Sequence, residues 1–205
     1  MRQTETTDLL EWAVAGRPMP GELASGDREL VMVSPNRALV AVIDALGHGQ
    51  PAAQAAEAAV AALRRHADDS VIALLRHCHA DLIGRRGVVM SLASLRAQDN
   101  TLTWVSVGNV EGVLIQLDAQ GRRQRANLVT RGGIVGSELP HLRAEVVAVN
   151  RGDVLIFATD GIEGAFWEAV NVDRPLQEVA DHILQRNGKT TDDALVFVAR
   201  CLVGS

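Results

Sequence analysis

Apolar residues recur along this chain with two periods, and their alternation sketches the fold before any single side chain is weighed. Residues 8–16 are apolar enough for a strand, and Arg17-Pro-Met-Pro-Gly21 then interrupts regular structure. Glu29–Ser34 and Arg37–Asp44 are rich in β-branched residues and flank the turn pair Pro35-Asn36, which predicts an antiparallel hairpin. From Pro51 to about Ala67 the alanines predict a long helix with small side chains on every side, suited to close packing on a sheet. A second helix is expected from Ser70, as N-cap, to near Gly84, with Val71, Leu74, Leu75, Cys78 and Leu82 as its apolar stripe.

The strand period then returns. Gly87–Leu95, Thr101–Val107, Gly112–Leu117 and, after the turn Asp118-Ala-Gln-Gly121, Arg125–Thr130 are expected to form a meander. Arg143–Val149 alternates, and Asp153–Thr159 is a continuous apolar run that predicts a central strand. A short helix is expected between Gly161 and Val172, and a longer one from Pro175 to Asn187, stopped by Gly188. The last strand, Ala194–Val203, starts directly after Asp193. Strands in two clusters, with helices in two places, lack the βαβ alternation of a doubly wound sheet. The pattern predicts an α+β protein: two antiparallel sheets packed face to face and flanked by helices. No repeat, low-complexity tract or linker divides the chain, so residues 1–205 are expected to form a single domain.

Composition narrows the function. A net charge of -5 argues against a nucleic-acid groove, which needs clustered Lys and Arg. Arg64-Arg65, Arg85-Arg86 and Arg122-Arg123-Gln124-Arg125 are expected on solvated faces, with docking of an acidic or phosphorylated partner as the sharper alternative. Cys78 and Cys201 lie far apart without a metal-ligand spacing, so neither a disulfide framework nor structural zinc is indicated and a reducing compartment is expected. His77 and His79 lack the i, i+4 spacing of a helical metal pair and are expected as surface or hydrogen-bonded histidines. Neither a signal peptide nor an apolar run long enough to span a bilayer is evident, so the expectation is a cytoplasmic protein with no membrane partner.

The chemistry concentrates at strand ends. Ala41-Val-Ile-Asp-Ala-Leu-Gly-His-Gly49 carries a buried run into a carboxylate, Asp44, and then into a glycine-flanked turn that opens the alanine-rich helix. A carboxylate at the mouth of a buried strand must be paired, protonated or bound to metal. Asp27 in Ser25-Gly-Asp27, Asp160 in Thr159-Asp-Gly161 and Asp193 in Thr191-Asp-Asp193 stand in similar settings. Singly, each is also explained as a cap or turn residue. Jointly, capping leaves unexplained why they recur beside the strongest strands. Four carboxylates without matching histidines or thiols suit a hard ion such as Mg²⁺ or Mn²⁺, and a pair of such ions can activate a bridging water against a phosphate ester.

In order and approximate spacing, Ser25-Gly-Asp27, Asp44-Ala-Leu-Gly-His-Gly49, Gly132-Gly-Ile-Val-Gly136, Thr159-Asp-Gly161 and Thr191-Asp-Asp193 resemble the protein phosphatase 2C superfamily in its bacterial SpoIIE-type branch. The short Gly108-Asn-Val-Glu-Gly112 and the absence of sensor or receiver domains make the chain most similar to the stand-alone RsbX-type stressosome phosphatases. The resemblance implies an αββα sandwich and hydrolysis of phosphoserine or phosphothreonine on a protein by a metal-bridging hydroxide. It implies that Asp44 bridges two divalent cations, Mn²⁺ or Mg²⁺, and that the backbone carbonyl of Ala45 binds the second. Asp160 and Asp193 would complete the first site and Asp27 would serve the second. His48 is a candidate proton donor to the leaving oxygen, with a hydrogen-bonding role as the alternative. Asn109 stands near the place of a third-metal aspartate of eukaryotic-type members, which argues against a third ion. Leu117 to Val149 leaves little room for a flap subdomain. The implied substrates are phosphorylated regulatory proteins, STAS-domain stressosome components among them. Two rivals remain: a catalytically silent phosphatase-like module that grips a regulatory protein, and a two-metal phosphodiesterase or nuclease. The second is disfavoured by the acidic charge and by 3% aromatic residues with no Tyr, which leave few stacking platforms.

Overall fold

In the computed structural model, which describes residues 1–118, 120, 122–168 and 170–204, eleven strands and three helices are seen among the described residues. The strands are β1 (Arg2–Thr6), β2 (Leu10–Arg17), β3 (Asp27–Ser34), β4 (Arg37–Ala45), β5 (Val88–Arg96), β6 (Thr101–Val107), β7 (Glu111–Leu117), β8 (Arg123–Asn127), β9 (Glu145–Ala148), β10 (Val154–Ala158) and β11 (Ala194–Cys201). The helices are α1 (Gly49–Arg65), α2 (Val71–Leu82) and α3 (Leu176–Asn187). They build two antiparallel sheets, one ordered β1-β2-β11-β10-β7-β8 and the other β3-β4-β5-β6-β9. Three apolar layers hold these together. One lies between the sheets, around Trp104, Phe157 and Phe197. The second lies under α1 and α2 and the third under α3, which completes the expected αββα sandwich.

Period-2 alternation explains the layering. In β4, Ala38, Val40 and Val42 face the other sheet, whereas Leu39, Ala41, Ile43 and Ala45 face α1. In β11, Leu195, Phe197, Ala199 and Cys201 face inward while Ala194, Val196 and Val198 face α3. Both faces of these strands are covered, so they read as nearly continuous apolar runs. Alanine gives α1 its close approach: Ala52, Ala55, Ala56, Ala59 and Ala62 are all buried against β3, β4 and β5. Ser70 caps α2 through its side chain, which accepts the Ala73 amide at 3.3 Å.

Three expectations are corrected. The meander does not run through one sheet, because β6 pairs with β5 and β9 while β7 pairs with β10 and β8 in the other layer. Gly108, at φ +95°, carries the chain across, and a side chain there would collide with Val89. Between Gly161 and Val172 the described residues form turns and a bridge from Ile162 to Gly188, not a helix. The strand expected over Arg125–Thr130 is β8, set two residues earlier and ending at Asn127. One element was missed: β1 is exposed along its length and pairs as an edge with β2, so it carries no apolar alternation to betray it. Within the expected turn Asp118–Gly121, Ala119 and Gly121 lie outside the described residues.

Candidate active site

The inward-facing series of four strands run out at the same end of the sandwich, and carboxylates take over where the apolar residues stop. Asp44 continues the inward positions 38, 40 and 42 of β4, and Asp27 sits opposite it in register on β3. From the other sheet, Thr159 extends the inward series of β10, and Asp193 precedes the inward Leu195 of β11. Thr159 joins the layers. Its hydroxyl donates to Asp27 Oδ2 at 2.8 Å and accepts the Leu195 amide at 2.9 Å.

The cluster is electrostatically strained in the absence of a counter-charge. Burial, followed by the charge of Asp160 and then those of Asp192 and Asp193, pushes the Asp44 carboxyl up to about 8. Asp27 is 3% exposed, and burial followed by the charge of Asp44 holds it well above the usual carboxylate range despite the Thr159 hydrogen bond. Oxygen-only donors that repel one another fit a hard divalent cation, which removes both the desolvation and the repulsion.

The expected residues are brought to one place but not into one role. Asp160 is half-buried, and its Oδ2 accepts the Asn109 side-chain amide at 2.7 Å. Asp193 is buried and its two oxygens accept the backbone amides of Met19 at 2.7 Å and Gly26 at 2.6 Å. That clasp needs a residue without a side chain at position 26, since a Cβ there would lie 2.8 Å from the Ala52 Cβ and 3.2 Å from the Ala45 carbonyl. His48 is exposed at the N-cap of α1, with Nδ1 2.7 Å from Glu22 Oε1. Four neighbours were not singled out from the sequence, Glu22, Thr159, Asp192 and Lys189, while Arg86 belongs to the Arg85-Arg86 pair expected on a solvated face, with docking of an acidic or phosphorylated partner as the alternative. Arg86 donates to the Leu46 carbonyl, and Lys189 Nζ donates to the Asp160 carbonyl at 2.6 Å. Lys189 had a signal available, being the one lysine of the chain.

Outside this site, His79 Nδ1 accepts the Gly136 amide at 3.1 Å. His66, Asp69 and His77 meet at the far end of α1 with ligand atoms within 4.8 Å of one another. The two imidazoles are stacked at 4.1 Å with planes 10° apart, so their in-plane lone pairs run side by side and do not converge on one ion.

Two face-to-face antiparallel sheets with helices on both outer faces form the fold of the PP2C phosphatase domain of SpoIIE, with which this chain superposes at a TM-score of 0.75. The chain belongs to the SpoIIE family: the family model described as Stage II sporulation protein E (SpoIIE) matches residues 34–202. The phosphoserine phosphatase RsbX of Bacillus subtilis (strain 168) is 21% identical over 162 residues, which cover 79% of each chain. A structure of RsbX in complex with magnesium superposes with a TM-score of 0.86 at 18% identity, covering 98% of this chain and 100% of that one. A chain solved in work on the bacterial stressosome as a modular system adapted to control secondary messenger signalling is 30% identical, with a TM-score of 0.84 over 93% of this chain and 99% of its own.

Proposed function

We propose that this chain is a divalent-metal-dependent protein serine/threonine phosphatase that acts as one catalytic domain without a flap subdomain. The observation that carries the reading is the meeting of Asp27, Asp44, Asp160 and the Asp192-Asp193 pair at one end of both sheets, where burial, and then the charges of its neighbours, raise Asp44 to about 8. Asp44, the Ala45 carbonyl, Asp160 and Asp27 would hold two ions, Mn²⁺ or Mg²⁺. Asp193 is the remaining ligand by resemblance, yet both its oxygens already serve amides. Asp192, whose charge acts on Asp44 ahead of that of Asp193, is the more open donor and would share or take that position. Cations bound there supply an activated water at neutral pH and a clamp for the phosphoryl oxygens.

The chain's own groups do the rest. Thr159 fixes Asp27 across the sheet interface, Asn109 orients Asp160, and Asp193 anchors the loop over residues 18–26. His48 has Nδ1 on Glu22, and Nε2 has no hydrogen-bond partner among the described residues, so it is placed to return a proton to the departing seryl or threonyl oxygen. The substrate we infer is a phosphorylated regulatory protein, with STAS-domain stressosome components supported by the stressosome relative and by the likeness to RsbX. Two buried free thiols support a reducing, cytoplasmic setting. Among the described residues no helix is long and apolar enough to cross a membrane.

The test is hydrolysis of an aryl phosphate by the purified chain with Mn²⁺, with Mg²⁺ and with chelator, beside Asp44→Asn. Metal-dependent activity that falls by about 100-fold or more in the variant is expected, the scale of losing a principal charge-stabilising group. Absence of both activity and metal binding would overturn the reading in favour of a silent phosphatase-like binding module.

A further inference from the structure

The floor of this site is made of carboxylates, and a phosphate monoester is itself an anion, so the approach of substrate needs positive charge at the rim. Arg86 is the group in place. It lies in the loop between α2 and β5, exposed, and donates through Nη1 to the Leu46 carbonyl two residues beyond Asp44. Its guanidinium covers Gly47, which turns at φ +79° and where a Cβ would strike Nη1. Arg2, Arg28, Arg65, Arg96, Arg122, Arg123, Arg174 and Arg200 all pair with carboxylates. Arg86 has no carboxylate within 4.0 Å among the described residues. Of its five N–H donors one hydrogen bond is used within the protein, leaving a planar fork that matches phosphoryl oxygens.

Apolar surface flanks this cation. Leu46 is 41% exposed on the same turn, and Leu23 is fully exposed at 102% beside Glu22, whose bond to His48 ties its loop to that turn. A scattered exposed leucine is ordinary, but two on adjoining loops at the mouth of an acidic site, next to an unpaired guanidinium, make a lip of mixed character.

We propose that Arg86, Leu46 and Leu23 form the docking lip for a phosphoserine or phosphothreonine segment, in which the guanidinium grips the phosphate and the leucines cover an apolar side chain adjacent to the phosphorylated residue. The proposal rests on the phosphatase reading and deepens it by stating what is selected beside the phosphate. Charge complementarity favours this occupant: the phosphate meets the unpaired cation, while an acidic flanking residue would meet the carboxylate floor.

Arg86→Gln, Arg86→Lys and Leu23→Ser test it in the Mn²⁺-loaded chain, read with an aryl phosphate, inorganic phosphate as inhibitor, and two phosphoserine peptides differing by Leu or Ser beside the phosphoserine. Arg86→Gln is expected to weaken inhibition by phosphate at least about tenfold, the loss of one charge-assisted hydrogen bond, with Mn²⁺ affinity and Tm retained. Arg86→Lys restores only part of it, because an ammonium lacks the fork. Leu23→Ser is expected to bring the kcat/KM ratio of the two peptides towards one. Unchanged phosphate inhibition in Arg86→Gln, or an unchanged ratio in Leu23→Ser, would overturn the lip while wild-type activity leaves the phosphatase reading standing. If the wild-type chain hydrolyses neither probe and binds no Mn²⁺, that reading fails; whenever neither probe is hydrolysed, fluorescence-polarisation binding of the same peptides decides the lip: binding indifferent to Arg86→Gln overturns it and binding weakened at least tenfold supports it.

Discussion

Asp44 shows how a single residue can oppose folding and serve function. Burial and the charges of Asp160, Asp192 and Asp193 raise its carboxyl to about 8, so at neutral pH the metal-free protein must either keep a proton there or hold an ill-compensated charge. Asparagine keeps the shape and removes the titration. Asp44→Asn is therefore expected to melt several degrees higher than the wild type at pH 8.5 in chelator, a change of about 1 kcal/mol or more moving Tm by about 2–4 °C in a chain of this size. The advantage should shrink at pH 5, where the wild-type carboxyl is protonated in the fold. A variant that melts lower than the wild type at pH 8.5 would show that the carboxylate contributes stability there. Glu29 is a second inward carboxylate on β3, raised by burial, and its Oε2 has no hydrogen-bond partner among the described residues.

Elements set the tolerances around such residues. The buried face of α1 is alanine because the helix lies close to β3 and β4, and its N-terminus at Gly49 begins directly after the His48 turn. Enlarging that face displaces the helix that holds the turn. Ala56→Leu is expected to cost about 1–3 kcal/mol by overpacking, measured by denaturant unfolding, and to lower activity by shifting the His48–Glu22 contact. Neutral behaviour in both assays would mean that α1 yields without moving the site. At this scale much was legible. The alanine run, the Ser70 cap and the hairpin around Pro35-Asn36 each declare themselves through local physics and reappear within a few residues of their expected bounds. The segment after Gly161 did not, because its fold depends on pairing with Gly188 and on burying Ile162 and Phe166 under α3. The assignment of β6 and β7 to different sheets was equally hidden, since both alternate alike and only their partners differ.

For the whole molecule, the carboxylate cluster couples pH, metal and stability. Asp44 and Asp27 have folded-state values above their unfolded ones, so the fold binds more protons than the unfolded chain across that window. Their contribution is fully present below the ordinary carboxylate range and is lost as pH rises through about 8. The metal-free protein is expected to lose Tm steadily between pH 5 and 8.5. Mn²⁺ or Mg²⁺ should raise Tm more at pH 8 than at pH 5.5, because protons compete with the ion for the same oxygens. Calorimetry across that range in chelator and in excess cation checks both slopes. A pH-independent metal effect would place the ion elsewhere.

The sequence alone determined the strand and helix periods, the glycine-flanked turns and the positions at which apolar runs end on Asp44 and Asp160 or begin after Asp193, because those depend on neighbours a few residues away. Tertiary structure decided which of these groups meet. Asp27 reaches Thr159 across 132 positions, and Asp193 holds Gly26 across 167, through two sheets whose inward faces end at the same edge. It also divided the labour within Asp192-Asp193, set Lys189 on the Asp160 carbonyl and set Arg86 on the Leu46 carbonyl, two residues beyond Asp44. The physical reason is that burial, charge repulsion and hydrogen-bond competition act between groups close in space, and their distance along the chain carries no information about that closeness.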